Sequence, residues 1–97
     1  MAVNNAQRRY LRGLTHGLNP VVMVAERGLA PSVMNEVEIA LAHHELIKVR
    51  VSVGDRDARD ALIAELLAST GAELIHKIGN VVSIYRRNPE QQRIELP

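Results

Sequence analysis

The stretch Ile47-Lys48-Val49-Arg50-Val51-Ser52-Val53 decides the fold, because apolar and polar residues alternate along it without interruption. Side chains of a strand point to opposite faces in turn, so this pattern predicts a strand with one dry face and one wet face. Upstream, Val33, Val37, Ala40, Leu41 and His44 recur at helical spacing, which predicts a helix from Pro31 to about His44. Proline suits its first turn, where no backbone donor is required. Before that helix, Val21-Val22-Met23-Val24 is too short and too β-branched for a helix and reads as a buried strand. Downstream, Gly54-Asp55 opens a third helix, about Asp55 to Thr70, with Gly71 as its stop. Strands at about Glu73–Ile78 and Val81–Arg86 flank Gly79-Asn80, a two-residue hairpin signal. At the N-terminal end a helix is expected from about Asn5 to His16, with Ala6, Tyr10 and Leu14 on its apolar side and Leu11 at the margin. The predicted order is α-β-α-β-α-β-β, an α/β fold with a four-stranded mixed sheet packed with helices. The tail after Arg87 is polar and expected to fray, although Ile94 and Leu96 could still dock.

With 97 residues there is room for one domain, and a hydrophobic content of 46% suffices to fold it. The absence of cysteine excludes a disulfide scaffold and thiol chemistry and fits a reducing compartment. The longest apolar run, Val21 to Ala25, is far below the ~20 residues of a spanning helix. Met1 to Tyr10 is polar and basic and does not read as a secretory signal. A soluble, cytoplasmic, monomeric domain is expected, with no cofactor and no membrane association.

The formal net charge of +1 conceals a segregation. Residues 1–29 are net +3, residues 30–70 net −3 and residues 71–97 net +1. A near-neutral chain can thus carry a basic and an acidic face. Tyr10 and Tyr85 are the only aromatics, which argues against a platform on which successive bases stack. No catalytic or metal-binding constellation is legible. His43 and His44 are adjacent on a helix and diverge by about 100°, so they cannot chelate one ion together. His44 reads as a core or boundary residue, and His16 and His76 are isolated. Asp55, Asp57 and Asp60, interleaved with Arg56 and Arg59, read as capping and dipole-complementing groups of the third helix.

Three features suit phosphate. Ala25-Glu26-Arg27-Gly28 joins a strand to a helix start, where backbone N–H groups favour an anion. Arg27 can grip a phosphate in two places, whereas Glu26 repels one; without a ligand, the segment is an ordinary turn. Lys48 and Arg50 project from the wet face of their strand. Arg8, Arg9 and Arg12 form a basic side on the first helix. A solvated surface is the plain explanation of the last two features. Together the three supply cations and a helix terminus without a competing active site.

The run Tyr10-Leu11-Arg12-Gly13-Leu14-Thr15-His16-Gly17-Leu18-Asn19-Pro20-Val21-Val22-Met23-Val24 resembles the opening of the CRM domain, the chloroplast RNA splicing and ribosome maturation module. Arg27-Gly28-Leu29, the segment Ala40 to Arg50 and the segment Ile78 to Arg86 extend the likeness over about Ala6 to Arg87, in the small stand-alone bacterial form. The resemblance implies a fold similar to the C-terminal domain of bacterial translation initiation factor three, with a KH-like RNA-binding surface. It also implies a maturation factor, not an enzyme, acting on ribosomal RNA in large-subunit precursors. The family's Gly-x-x-Gly loop falls on Ala25, Glu26, Arg27 and Gly28, where Gly28 matches and Ala25 departs. Its basic positions fall on Arg12, Lys48, Arg50 and Arg86. A different reading of the same chain is a protein-interaction adaptor that presents Glu36, Glu38, Asp57 and Asp60 to a basic partner, with Ile39 as an exposed contact.

Overall fold

In the computed structural model, which describes residues 2–97, the alternating stretch becomes an interior strand of a four-stranded sheet. The elements are α1 (Asn5–Thr15), β1 (Pro20–Val24), α2 (Pro31–His44), β2 (Leu46–Val51), α3 (Arg56–Thr70), β3 (Glu73–Ile78) and β4 (Val81–Tyr85). The strand order is β1-β2-β4-β3, with β1 parallel to β2 and the other pairs antiparallel. The predicted order of elements and the mixed sheet are both present. β2 ends at Val51, short of the expected Val53, although the Ser52 N–H still reaches the Val24 carbonyl at 2.7 Å.

Local chemistry sets the boundaries. Asn4 and Gln7 exchange side-chain-to-backbone hydrogen bonds and begin α1 as a capping box. The Asp55 carboxylate accepts the Ala58 N–H at 3.2 Å and begins α3, and Gly71, at φ +73°, ends it. Pro31 occupies the first turn of α2.

Alternation then sorts the strands into two layers. Val22, Val24, Ile47, Val49, Val51, Val82 and Ile84 turn to one face and pack with Val37 and Leu41 of α2 and with Ile63 and Leu66 of α3. On the other face Leu46, Ile75 and Tyr85 pack with Leu11 of α1, and Val3, Leu18, Ile94 and Leu96 close around them. The first helix is therefore turned from its predicted orientation. Leu11 and Thr15 are buried, whereas Tyr10 and Leu14 are 44% and 38% exposed. Ala6/Tyr10/Leu14 and Leu11/Thr15 are both stripes at i and i+4, and the second meets the sheet because Leu11 packs among Leu46, Ile75 and Tyr85. His44, read as a boundary residue, is exposed at the last turn of α2.

The C-terminal tail is not frayed. Glu45 is wholly buried, at φ +65°, and closes α2 by giving its N–H to the Leu41 carbonyl at 2.8 Å. Its carboxylate accepts three backbone N–H groups of the tail: Asn88 at 2.6 Å, Arg93 at 2.8 Å and Ile94 at 2.7 Å. A buried carboxylate is tolerable when its lone pairs are taken up in this way. The tail docks because Ile94 and Leu96 supply apolar area and Glu45 supplies acceptors.

Candidate nucleic-acid interface

The second face of the sheet is only half covered. α1 and the tail close the end around Leu46, Ile75 and Tyr85, and the remainder is open to solvent. Cross-strand register decides what stands there. Lys48 lies beside Ser83, which in turn lies beside His76, and Arg50 lies between Met23 and Val81. Residues opposite each other across a ladder share a face, so these six stand on the second face, Ser83 buried among its neighbours, along with the exposed Val21 and Ile78. A shallow groove of about 280 Å³ runs over Lys48, Arg50, His76 and Ser83. A second one, of about 260 Å³, continues over Val21, Met23 and Arg50 to the β1 edge. Neither groove has an acidic residue in its lining. Lys48 and Arg50 are half-buried, and neither makes a side-chain hydrogen bond or ion pair among the described residues. Their aliphatic stems rest on the sheet, and their charges are left for a ligand.

The basic residues of the first helix divide. Arg9 and Arg12 are exposed and stand on the helix that covers this same face. Arg8 is half-buried and hydrogen-bonds through its guanidinium to the Leu74 carbonyl of β3, which ties α1 to the sheet. Arg86 stands on the opposite face. Its guanidinium donates to Glu38 of α2 at 2.7 Å and to the Thr70 carbonyl at 3.0 Å. Parity carries the signal for this: Val82, Ile84 and Arg86 alternate onto one side, and Ser83 and Tyr85 onto the other.

The loop at the end of β1 is a hydrogen-bonded turn. The Gly28 N–H donates to the Ala25 carbonyl at 2.8 Å, and Gly28 has φ +71°. A Cβ at Gly28 would meet Leu62 of α3 at 3.4 Å, a van der Waals contact, so it is the positive φ that favours glycine there. Ala25, Glu26 and Arg27 are exposed, and the Arg27 guanidinium has no partner among the described residues. α2 starts three residues after Gly28, and Ala30 provides no side-chain cap for its first turn. The uncapped start of α2 and the free Arg27 thus follow each other closely in the chain after β1.

Glu36 and Glu38 of α2 and Asp57 and Asp60 of α3 lie on the helices that cover the first face. Glu38 is paired with Arg86, and Asp60 with Lys77 at 2.7 Å. The Lys77 ammonium holds the Asp60 carboxyl below its ordinary value of 3.8, mainly through their hydrogen bond. Glu36, Asp57 and Ile39 are exposed and unpaired among the described residues. Burial pushes the Tyr85 hydroxyl above its ordinary value of 10.0, and the Glu45 carboxylate adds to the shift. Among the described residues no three His, Cys, Asp or Glu side chains converge as metal ligands. None of their helices is long and apolar enough to cross a membrane.

Comparison with known proteins points to nucleic acid. The CRS1/YhbY (CRM) domain model matches residues 3–86. A Haemophilus influenzae protein named as an RNA-binding protein is 41% identical over 95 residues, spanning 98% of this chain and 95% of that one. A Pseudomonas aeruginosa protein named a probable RNA-binding protein is 41% identical over 93 residues, spanning 96% of this chain and 89% of its own. The solution structure of a Staphylococcus aureus protein described as a candidate RNA binder superposes with a TM-score of 0.82 at 33% identity, covering 99% of this chain and 100% of that one.

Proposed function

The chain belongs to the CRS1/YhbY (CRM) domain family, and from that premise we propose that it binds structured RNA, without catalysis, as a monomer. The preferred ligand is ribosomal RNA in precursors of the large ribosomal subunit, which the protein would attend in the cytoplasm as an assembly factor. The observation that carries RNA binding is the open sheet face, with Lys48 and Arg50 uncompensated and no acidic residue in its grooves. A polyanion gains from such a surface through direct attraction and the release of its counterions. Arg9 and Arg12 add cations on α1, which covers part of the same face, and Arg27 adds one at the turn after β1. Recognition then rests on backbone and shape, because no row of aromatic rings lies on the sheet for bases to stack on. The relatives' names support RNA as the ligand, and the ribosomal assignment follows from the family resemblance.

Two measurements test this reading. Affinity for protein-free ribosomal RNA fragments should fall steeply with salt, and Glu26→Lys should raise it most at low ionic strength, where screening is weak. On a sucrose gradient of cell lysate the protein should travel with large-subunit precursors at low salt. Its absence from every ribosomal fraction would remove the ribosomal assignment. Salt-independent or absent binding to naked RNA would remove RNA binding itself and favour the adaptor reading built on Glu36 and Asp57.

A further inference from the structure

A larger cleft of about 590 Å³ opens where the open sheet face meets the ends of α1 and α2 and the docked tail. Its apolar walls include Leu14, Leu18, Val21 and Ile94, and its polar side chains include His43, His44, Lys48 and Arg93. The size falls within the ~300–1,000 Å³ typical of small-molecule clefts. No acidic residue lines it. Leu18, Asn19 and Lys48 line both this cavity and the shallow groove that holds Arg50, so the two run into each other. Leu14 and Val21, 38% and 54% exposed, are apolar groups that the fold leaves uncovered here. The His43 and His44 rings stand edge to face, 4.7 Å apart, with both residues exposed. The Arg93 guanidinium donates to the neutral Gln91 amide oxygen at 2.8 Å and forms no ion pair among the described residues.

Apolar walls, imidazole rings and flanking cations together fit a flat heterocycle that carries phosphates on either side. We propose that this cavity receives one unpaired nucleobase of an RNA lying on the sheet face. The reading rests on the RNA binding proposed above and adds a preference within it. The base faces lie against Leu14, Val21 and Ile94 and an imidazole ring, and Lys48 and Arg93 take the adjoining phosphates. A fully paired duplex cannot offer a base to the cavity without breaking a pair, so it binds through its phosphates alone. A bulge or loop nucleotide enters at little cost.

The test compares two RNA hairpins that differ by one bulged nucleotide, with 2-aminopurine at the bulge, by fluorescence anisotropy and by emission of the probe. The bulged hairpin should bind about tenfold more tightly, and its probe emission should change on binding. The double variant Leu14→Asn/His43→Ala alters one exposed wall and one imidazole ring, both outside the two shallow grooves, and keeps every lysine and arginine. It should bring the two hairpins to within about twofold of each other, retain affinity for the paired one and melt as a folded protein. Equal affinity of the wild-type protein for both hairpins, with probe emission unchanged, overturns the cavity assignment and leaves RNA binding intact. A bulge preference that survives in the double variant also overturns it. If neither hairpin binds at low salt, RNA binding fails and the cavity assignment fails with it.

Discussion

The two faces of the sheet are built from alternate residues of the same strands, yet they end with opposite chemistry. On one, α2 and α3 cover a continuous row of Val, Ile and Leu, and cations beside them are paired, Arg86 with Glu38 and Lys77 with Asp60. On the other, α1 and the tail cover one end, and Lys48 and Arg50 stand on the remainder with no acid beside them. Where helices cover the sheet, opposite charges on strand and helix come within reach of each other. Where no helix reaches, the strand cations stay available to a ligand. Substitutions should separate the two regimes, those in the packed parts changing stability and those on the open face changing RNA affinity.

The largest expected loss of stability is at Glu45. Glu45→Ala strips three backbone N–H groups of a buried acceptor and should cost about 3 kcal/mol or more in urea unfolding, with the tail becoming open to proteolysis. Glu45→Gln, which keeps one carbonyl acceptor, should lose less. An undiminished midpoint for Glu45→Ala would break the claim that the carboxylate holds the tail.

Gly28→Val comes next. A β-branched side chain at φ +71°, with Leu62 3.4 Å from its Cβ, should cost about 2 kcal/mol and weaken RNA binding as the turn distorts. Arg27→Ala should leave the melting temperature in place and reduce affinity by about 1–3 kcal/mol. Opposite outcomes for this pair would assign the loop to the packed side of the comparison.

Arg86→Ala should have a smaller effect. Its partner Glu38 is about half exposed and solvent screens the pair, so the cost is roughly 0–1 kcal/mol, with affinity for RNA unchanged. The family resemblance places Arg86 among the basic positions, and a clear fall in affinity would return it to the interface. Lys48→Ala/Arg50→Ala should shift stability least, within about ±0.5 kcal/mol. It should nonetheless weaken binding across RNA sequences and lower the log–log salt slope by up to ~0.7–0.9 per lost contact. An unchanged slope would make the open face merely solvated.

A pH titration checks the sealed end of the second face. The Tyr85 hydroxyl is buried, and its pKa in the folded protein is raised above 10.0. Its contribution to stability is therefore full below pH 10 and is lost as the pH rises through the raised value. Tyr85→Phe should remove that alkaline loss and leave stability at neutral pH equal or slightly higher, since the hydroxyl has no hydrogen-bond partner among the described residues.

The order of elements, the hairpin at Gly79-Asn80, the cap at Asp55 and the stop at Gly71 are all legible from the chain, because neighbours in sequence determine each of them. The alternation from Ile47 to Val53 also marks Lys48 and Arg50 as a pair on the wet face, and alternation from Val82 to Arg86 would have set Arg86 apart from them. What the sequence cannot supply is the identity of a distant partner. Glu45 meets N–H groups more than forty residues away, Arg8 meets the carbonyl of Leu74, and Leu11 is chosen over Tyr10 and Leu14 only when α1 lands on Leu46, Ile75 and Tyr85. The cavity beside Val21 likewise exists only once two helix ends, one strand and the docked tail converge. Periodicity and capping act over a few residues and are written in the sequence, whereas which charges are paired and which apolar groups are covered depends on what tertiary packing brings against them.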